Sequence, residues 1–325
     1  MYSKLNNSSL KCNESGRFSL TNGAYLPILT GQRGAQGSSQ EQKPPVAGRR
    51  YSSGVGTSRP LRPKRSLGQH FLRDENIARK IAGAIAPQPD DVLVEIGPGE
   101  GALTRYLAGS VRRLIAVELD DRAVAGLRER FEGKNTEVLC RDFLETDLEE
   151  LAERHGRPLR IAGNIPYNIT TPILFHVLDR RSSVKDLTIM MQKEVARRLV
   201  SGPGTKDYGI LAVFCQLFAD VELLFDVSPR CFFPVPAVTS SVVRLTMLPQ
   251  PRFATADEQY FRAMVRAVFG KRRKTLRNTL KYFLGDTPVP GGLPVDAGRR
   301  PEDLSVGELV ALSNILYTTT HAAPA

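Results

Sequence analysis

Residues 92–104 read VLVEIGPGEGALT: an apolar run of strand length, a turn with glycine at 97, 99 and 101, and residues able to start a helix. A short, largely apolar run suits a strand covered on both faces, and a glycine turn lets a ligand reach the backbone where a Cβ would otherwise stand. Further short apolar runs at 114–117, 137–140, 159–162 and 187–191 alternate with helical patterns. Parallel strands need such crossovers, so the spacing predicts an α/β sheet. Two later runs, 221–225 and 241–247, have no long helix between them and are expected to pair antiparallel at one edge, completing a seven-stranded sheet.

After Pro249-Gln250-Pro251 the pattern becomes helical only, with Phe261, Met264, Val265, Val268 and Phe269 on one face. Ser305 with Glu308 three residues on marks the start of a last helix carrying Leu309, Val310, Ile315 and Leu316. The expected organisation is therefore a Rossmann-like sheet domain over 61–250 and a small all-helical C-terminal domain over 251–325. Residues 1–60 hold only the acids Glu14 and Glu41 against eight Lys and Arg, with Ser, Asn, Gly and Gln clusters and little periodicity. Too little apolar surface is available there to offset ordering entropy, and a disordered extension is expected. Its composition is that of a bland tail or a mistaken start, with a transit peptide or a basic RNA-touching arm as alternatives.

The balance of 45 Lys and Arg against 34 Asp and Glu, net +11, favours polyanionic partners. Nucleic acid leads a membrane, because no apolar run approaches the roughly 18 residues a spanning helix needs. Cys12, Cys140, Cys215 and Cys231 are far apart, with no CxxC pair, so neither a disulfide framework nor a zinc site is indicated.

At the glycine turn itself, Gly97, Gly99 and Gly101 fit either a tight strand-to-helix turn or a nucleotide site, which also needs a carboxylate about 20 residues on for ribose hydroxyls. Glu118, in AVELD, stands there, and NAD and S-adenosylmethionine both remain open at this point. Asp142, in CRDFL after the third strand, can accept from an adenine amino group, although Asp is also an ordinary turn former. Asn164-Ile165-Pro166-Tyr167 then follows the fourth strand. The Asn164 side-chain oxygen and the Ile165 carbonyl can accept from an exocyclic N6–H, and Tyr167 supplies a stacking face for a base removed from its helix. A methyl donor held beside a planar amine accounts for all of these, whereas a proline-containing turn accounts only for the tetrapeptide.

These segments resemble the small-subunit (16S-type) ribosomal RNA adenine N6,N6-dimethyltransferases of the kasugamycin-sensitivity (KsgA/RsmA) type over roughly 62–318. The likeness rests on LGQHFL at 67–72, EIGPGEGALT, VELD, RDF, NIPYNITTP, QKEVARRLVSGPGTKDYG, CFFPVPAVTSSVVRL and FGKRRKTLRNTL. It implies a seven-stranded methyltransferase domain with a helical C-terminal domain, S-adenosyl-L-methionine as donor, and two adjacent adenosines near the 3′ end of small-subunit rRNA as acceptors, each receiving two methyls. It further implies that His70, Leu72, Gly97, Gly99 and Asn164 border the cofactor, with Glu118 on its ribose and Asp142 on its adenine. Asn164 would lie between donor and base, and Tyr167 and Phe232 would sandwich the target adenine, Phe233 being the rival for that second wall. Many members carry Asn where His70 stands, so His70 is not expected to be catalytic.

Between Gln259 and Tyr282 there are eight basic residues and no acid. Arg272, Arg273, Lys274 and Arg277 are expected to meet RNA phosphate, which positions RNA without reading its sequence. The partner expected is the small ribosomal subunit or its precursor, met by a monomer in the cytoplasm, with an organelle as the fallback. A large-subunit enzyme of the macrolide-resistance type shares the glycine turn and NIPY but not the QKEVARRL and RRKTLRNTL segments. A ribosome-assembly factor that keeps the fold without catalysis is the alternative from another class; intact Gly97, Glu118, Asp142, Asn164 and Tyr167 argue against it.

Overall fold

The computed structural model describes residues 61–64, 68–133, 135–271 and 274–321; the extension expected over 1–60, and Arg272 and Arg273, lie outside the described residues. The first elements are a two-residue strand β1 (Phe71–Leu72) and helix α1 (Glu75–Ile85). The chain continues through β2 (Val92–Ile96), α2 (Thr104–Leu107), β3 (Arg113–Glu118), α3 (Asp121–Phe131), β4 (Thr136–Cys140), α4 (Leu148–His155), β5 (Leu159–Asn164), α5 (Thr170–Asp179) and β6 (Val184–Gln192). Helices α6 (Lys193–Val200) and α7 (Ile210–Phe218) precede β7 (Ala219–Val227), the short β8 (Phe232–Phe233) and β9 (Ser240–Met247). Among the described residues the α-helices α8 (Glu258–Phe269), α9 (Leu276–Leu284) and α10 (Val306–His321) follow, with no further strand.

Each of the seven apolar runs lies inside a strand, and those strands form one sheet in the order β4-β3-β2-β5-β6-β9-β7. Strands β2 to β6 are parallel; β9 is antiparallel to both β6 and β7, as the missing helix between the last two runs requires. Chain order reverses at β2, with β3 and β4 on one side and β5 and β6 on the other. The crevice outside the carboxyl ends of β2 and β5 is where open α/β sheets take their ligands. Gly163 keeps these two strands close: a Cβ there would stand 2.5 Å from the Ile96 carbonyl oxygen.

The opposite end of the sheet is sealed by charge. The Arg160 guanidinium, near the start of β5, donates to Asp186 (2.8 Å), to Asp91 (2.6 Å) and to the carbonyls of Ile85 and Ala86 that end α1. All three charged side chains are buried, so each depends on the others for its solvation.

In the helical segment, Phe261, Met264, Val265, Val268 and Phe269 are buried on one face of α8 and join the core cluster that also contains Phe214 of α7 and Val243 of β9. Helix α10 begins with the expected box: Ser305 Oγ accepts from the Glu308 N–H and Glu308 Oε2 accepts from the Ser305 N–H. Not every cation in this segment faces solvent. Arg262 pairs with Asp179 and Glu258 and lies over the Phe214 and Phe218 rings, so it packs the helix rather than meeting a partner.

Sequence periodicity gave no sign of the two-stranded ribbon β1–β8, in which Phe71 pairs with Phe233 and Leu72 with Phe232. It fastens the segment before α1 across the carboxyl end of the sheet. The same segment is tied down by Leu61 N–H to Glu100 (2.8 Å) and by Lys64 and Gln69 to Asp120, the N-cap of α3 (3.1 Å each). The Arg122 hydrogen bond, with Gln69 and Lys64, holds the Asp120 carboxyl well below the ordinary carboxylate range despite its burial. No helix among the described residues is long and apolar enough to cross a membrane.

Candidate active site

The crevice at the reversal point encloses about 170 Å³, and His70, Leu72, Gly97, Gly99, Glu118, Asp142, Asn164 and Tyr167 all line it. Their convergence follows from topology: β2, β3, β4 and β5 are parallel neighbours, so the residue after each strand arrives at the same edge.

Gly97 and Gly99 adopt φ of +59° and +57°, which only glycine takes without strain. A Cβ built on Gly97 meets nothing nearer than the Asn164 carbonyl oxygen at 4.0 Å, so the backbone there is open to a ligand. Glu118 pins the turn from the adjacent strand: its Oε2 accepts from the Gly99 N–H and its Oε1 from the Asp120 N–H, both at 2.9 Å. Burial raises its carboxyl above the ordinary range, and the backbone N–H bonds oppose that shift. Each oxygen has a lone pair left for a diol. Asp142 caps the turn after β4, accepting from Leu144 N–H at 2.9 Å, so the turn-former role is real and one oxygen remains for a ligand.

Asn164 ends β5. Its Nδ2 donates to the His70 carbonyl at 3.0 Å, which fixes the amide orientation and leaves Oδ1 with no hydrogen-bond partner among the described residues. Tyr167 is half-buried, and its hydroxyl is anchored to Ser240 Oγ at 2.7 Å. Burial raises the phenol above its usual range, keeping it neutral. The His70 ring stacks on Tyr167 at 5.7 Å and 25°, held by its Nδ1, 2.8 Å from the Pro234 carbonyl; a carbonyl only accepts, so this nitrogen carries the proton.

One expected wall is not where the resemblance put it. Phe232 is 3% exposed, packed in a core cluster with Leu72, Val227 and Val242, and does not line the crevice. The pairing of β8 with β1 is the reason: side chains alternate along a strand, so turning Phe232 into the core leaves Phe233 outward, 54% exposed. In this structure Phe232 presents no free face for a base. Lys274 and Arg277 are exposed around the start of α9 and lie outside the crevice lining.

Glu95, which sequence reading passed over as strand interior, also lines the crevice. Its carboxyl is fully buried with Oε2 unpartnered, and burial, reinforced by the nearby charge of Glu118, pushes it up to about 8. An acid inside an otherwise apolar strand, VLVEI, is the signal that could have found it.

A parallel sheet that reverses at β2, with an antiparallel strand inserted beside its far edge and a ligand crevice at the reversal, is the architecture of a Rossmann-like methyltransferase. The family described as Ribosomal RNA adenine dimethylase is matched over residues 61–315, and the chain belongs to it. A Ribosomal RNA small subunit methyltransferase A of Geobacter metallireducens is 46% identical over 264 residues, covering 79% of this chain and 96% of that protein. One of the same name from Chlorobium phaeobacteroides is 48% identical, covering 77% and 92%. Among solved structures, a dimethyladenosine transferase from Plasmodium falciparum superimposes with a TM-score of 0.64 at 25% identity, over 77% of this chain and 98% of that one. The 23S rRNA methyltransferase ErmE gives 0.58 at 30% identity, over 75% and 98%.

Proposed function

We propose that this chain transfers methyl groups from S-adenosylmethionine to N6 of two adjacent adenosines near the 3′ end of small-subunit (16S) rRNA, two to each base, during small-subunit biogenesis. The observation that carries this is the Asn164 amide, whose nitrogen is committed to the His70 carbonyl and whose oxygen is left to accept, beside the anchored ring of Tyr167. The relatives named for small-subunit rRNA are 43–48% identical to this chain, against 30% for ErmE, which favours the small subunit over the large.

The crevice suits the donor on chemical grounds. Gly97 leaves room at the backbone, Glu118 has acceptor capacity for a ribose diol, and Asp142 has an oxygen for an adenine amino group. His70 and Leu72 close the crevice from the strap. When bound, S-adenosylmethionine supplies a methyl on a sulfonium. The protein's task is then to present the acceptor nitrogen in line and to shape its lone pair.

A target adenosine drawn out of its strand stacks on Tyr167. Its amine is a poor nucleophile because the lone pair is delocalised into the ring. Asn164 Oδ1 and the Ile165 carbonyl accept its two N–H bonds, which holds the nitrogen and favours the rehybridised form in which the lone pair is available. The methylated amine is a strong acid and sheds its proton to water, so no dedicated base is required.

Arg272, Arg273, Lys274 and Arg277 hold rRNA phosphates, so RNA affinity falls steeply with salt. The protein acts as a monomer at the precursor subunit, in the cytoplasm where subunits mature. The test is transfer of radiolabelled methyl to small subunits purified from cells lacking their own dimethylase, with large subunits and free DNA as controls. Label recovered as N6,N6-dimethyladenosine from small-subunit rRNA alone is the expected result. Binding without transfer assigns the chain to subunit assembly instead.

A further inference from the structure

Glu95 is a buried acid of the crevice that the proposed chemistry leaves unused. Alternation along β2 puts it on the same face as Leu93, which shares a core cluster with Leu103 and Leu107. Its register partners on the adjacent strands, Ala116 of β3 and Ala162 of β5, carry no charge. The polar neighbour is Thr104 at the start of α2, and the charge that bears on it is Glu118 at the end of β3, of like sign. His70, Glu100, Arg141, Asp142 and Tyr167 complete the titratable lining, and none of them supplies Glu95 with a counter-charge. One of its oxygens, Oε2, has no hydrogen-bond partner among the described residues.

A carboxyl shut away from water, beside a like charge and without a cation, keeps its proton because desolvation penalises the charged form. Glutamine would fill the same space as a neutral acid and leave less to lose. What a carboxyl adds is the ability to ionise when a cation arrives. The topology says where one would arrive. With a cofactor adenine read to Asp142 after β4, its ribose to Glu118 on β3 and the acceptor amine to Asn164 on β5, the strand lying between is β2. The rest of the donor carries a sulfonium and an ammonium, so its positive charges fall at the strand that holds Glu95.

Resting on the methyltransferase reading above, we propose that Glu95 is the counter-charge for the cationic end of the donor: protonated in the free protein, it loses that proton to solvent as S-adenosylmethionine enters and faces the cation as a carboxylate. The proton returns from solvent when the site empties. Donor affinity is thereby tied to pH. Burial and Glu118 push the free carboxyl up to about 8, so affinity rises as pH approaches that value and levels off above it.

The test is calorimetric titration of the full-length chain with S-adenosylmethionine near pH 7, in buffers of differing ionisation enthalpy, which counts the protons released. Wild type is expected to release about one more than Glu95→Gln, whose fold is checked by its melting temperature. That variant is the reference because an α-ammonium itself titrates near pH 8. Wild-type affinity is expected to rise about tenfold between pH 6.5 and pH 8 beyond any change in the variant. Two ligands identify the cation: S-adenosylhomocysteine keeps the ammonium without the sulfonium charge, and 5′-methylthioadenosine has neither. Glu95-dependent release that persists with S-adenosylhomocysteine assigns Glu95 to the ammonium; release confined to S-adenosylmethionine assigns it to the sulfonium. Equal release by wild type and Glu95→Gln overturns the proposal, as does Glu95-dependent release with 5′-methylthioadenosine equal to that with the donor. Either result with S-adenosylmethionine still bound leaves the methyltransferase reading standing, whereas a wild-type chain that binds no S-adenosylmethionine overturns both.

Discussion

The two ends of β5 are built on opposite principles. At its start, Arg160 is buried and fully engaged, joining the end of α1, Asp91 and β6. At its end, Asn164 is half-buried and half-engaged, its nitrogen tied to the strap and its oxygen left without a partner among the described residues. One strand therefore carries a closed polar network that fixes the sheet and an open one that a substrate must complete. A group satisfied within the protein can only stabilise, whereas an unsatisfied one is available for binding.

Breaking the closed end should give the largest effect on stability. Arg160→Met leaves Asp91 and Asp186 buried without their cation, a loss of about 3–5 kcal/mol in urea unfolding. Turnover per folded molecule is expected to persist, and a variant as stable as wild type would show that the network does not hold the sheet.

Glu95 combines the two conditions: it is buried like Arg160 and, like Asn164, keeps one oxygen without a partner among the described residues. Its folded pKa of about 8 lies above the ordinary 4.5, so the folded state keeps a proton that the unfolded state has released between these values. Its effect is to lower stability as pH rises through that window, by about 1.4 kcal/mol per unit. Glu95→Gln stays neutral throughout. Denaturation curves should match wild type near pH 4 and show the variant more stable by a few kcal/mol near pH 9; parallel pH profiles would mean Glu95 does not carry the proton.

The smallest expected effect is at the ribose carboxylate. Glu118→Ala should weaken S-adenosylmethionine binding about tenfold, close to 1.4 kcal/mol by calorimetry. Undiminished affinity would leave Glu118 as a brace for the Gly99 turn alone.

The central strands of the sheet were legible because strands covered on both faces leave short apolar runs, whereas the edge strands β4 and β7 are only partly buried and their runs hold Glu137 and Glu222. The crevice was legible for a related reason: residues that follow parallel strands must gather at one edge, so Gly97, Glu118, Asp142 and Asn164 could be assigned to one site by position alone. The β1–β8 ribbon was not, since two-residue strands carry no period and their pairing joins Phe71 to Phe233 across the chain. That pairing decides which of Phe232 and Phe233 is buried. Nor could apolar pattern reveal that Arg160 finds Asp91 and Asp186, because partner choice among charges depends on how strands stack rather than on their spacing.

The central claim is that the free oxygen of Asn164 aligns the acceptor amine. The direct measurement is methyl transfer to small subunits by Asn164→Ala, together with its S-adenosylmethionine affinity and melting temperature. The account predicts turnover down by about 100-fold or more with affinity and stability near wild type. Turnover and affinity falling in step would contradict it, and would make Asn164 a cofactor or structural residue.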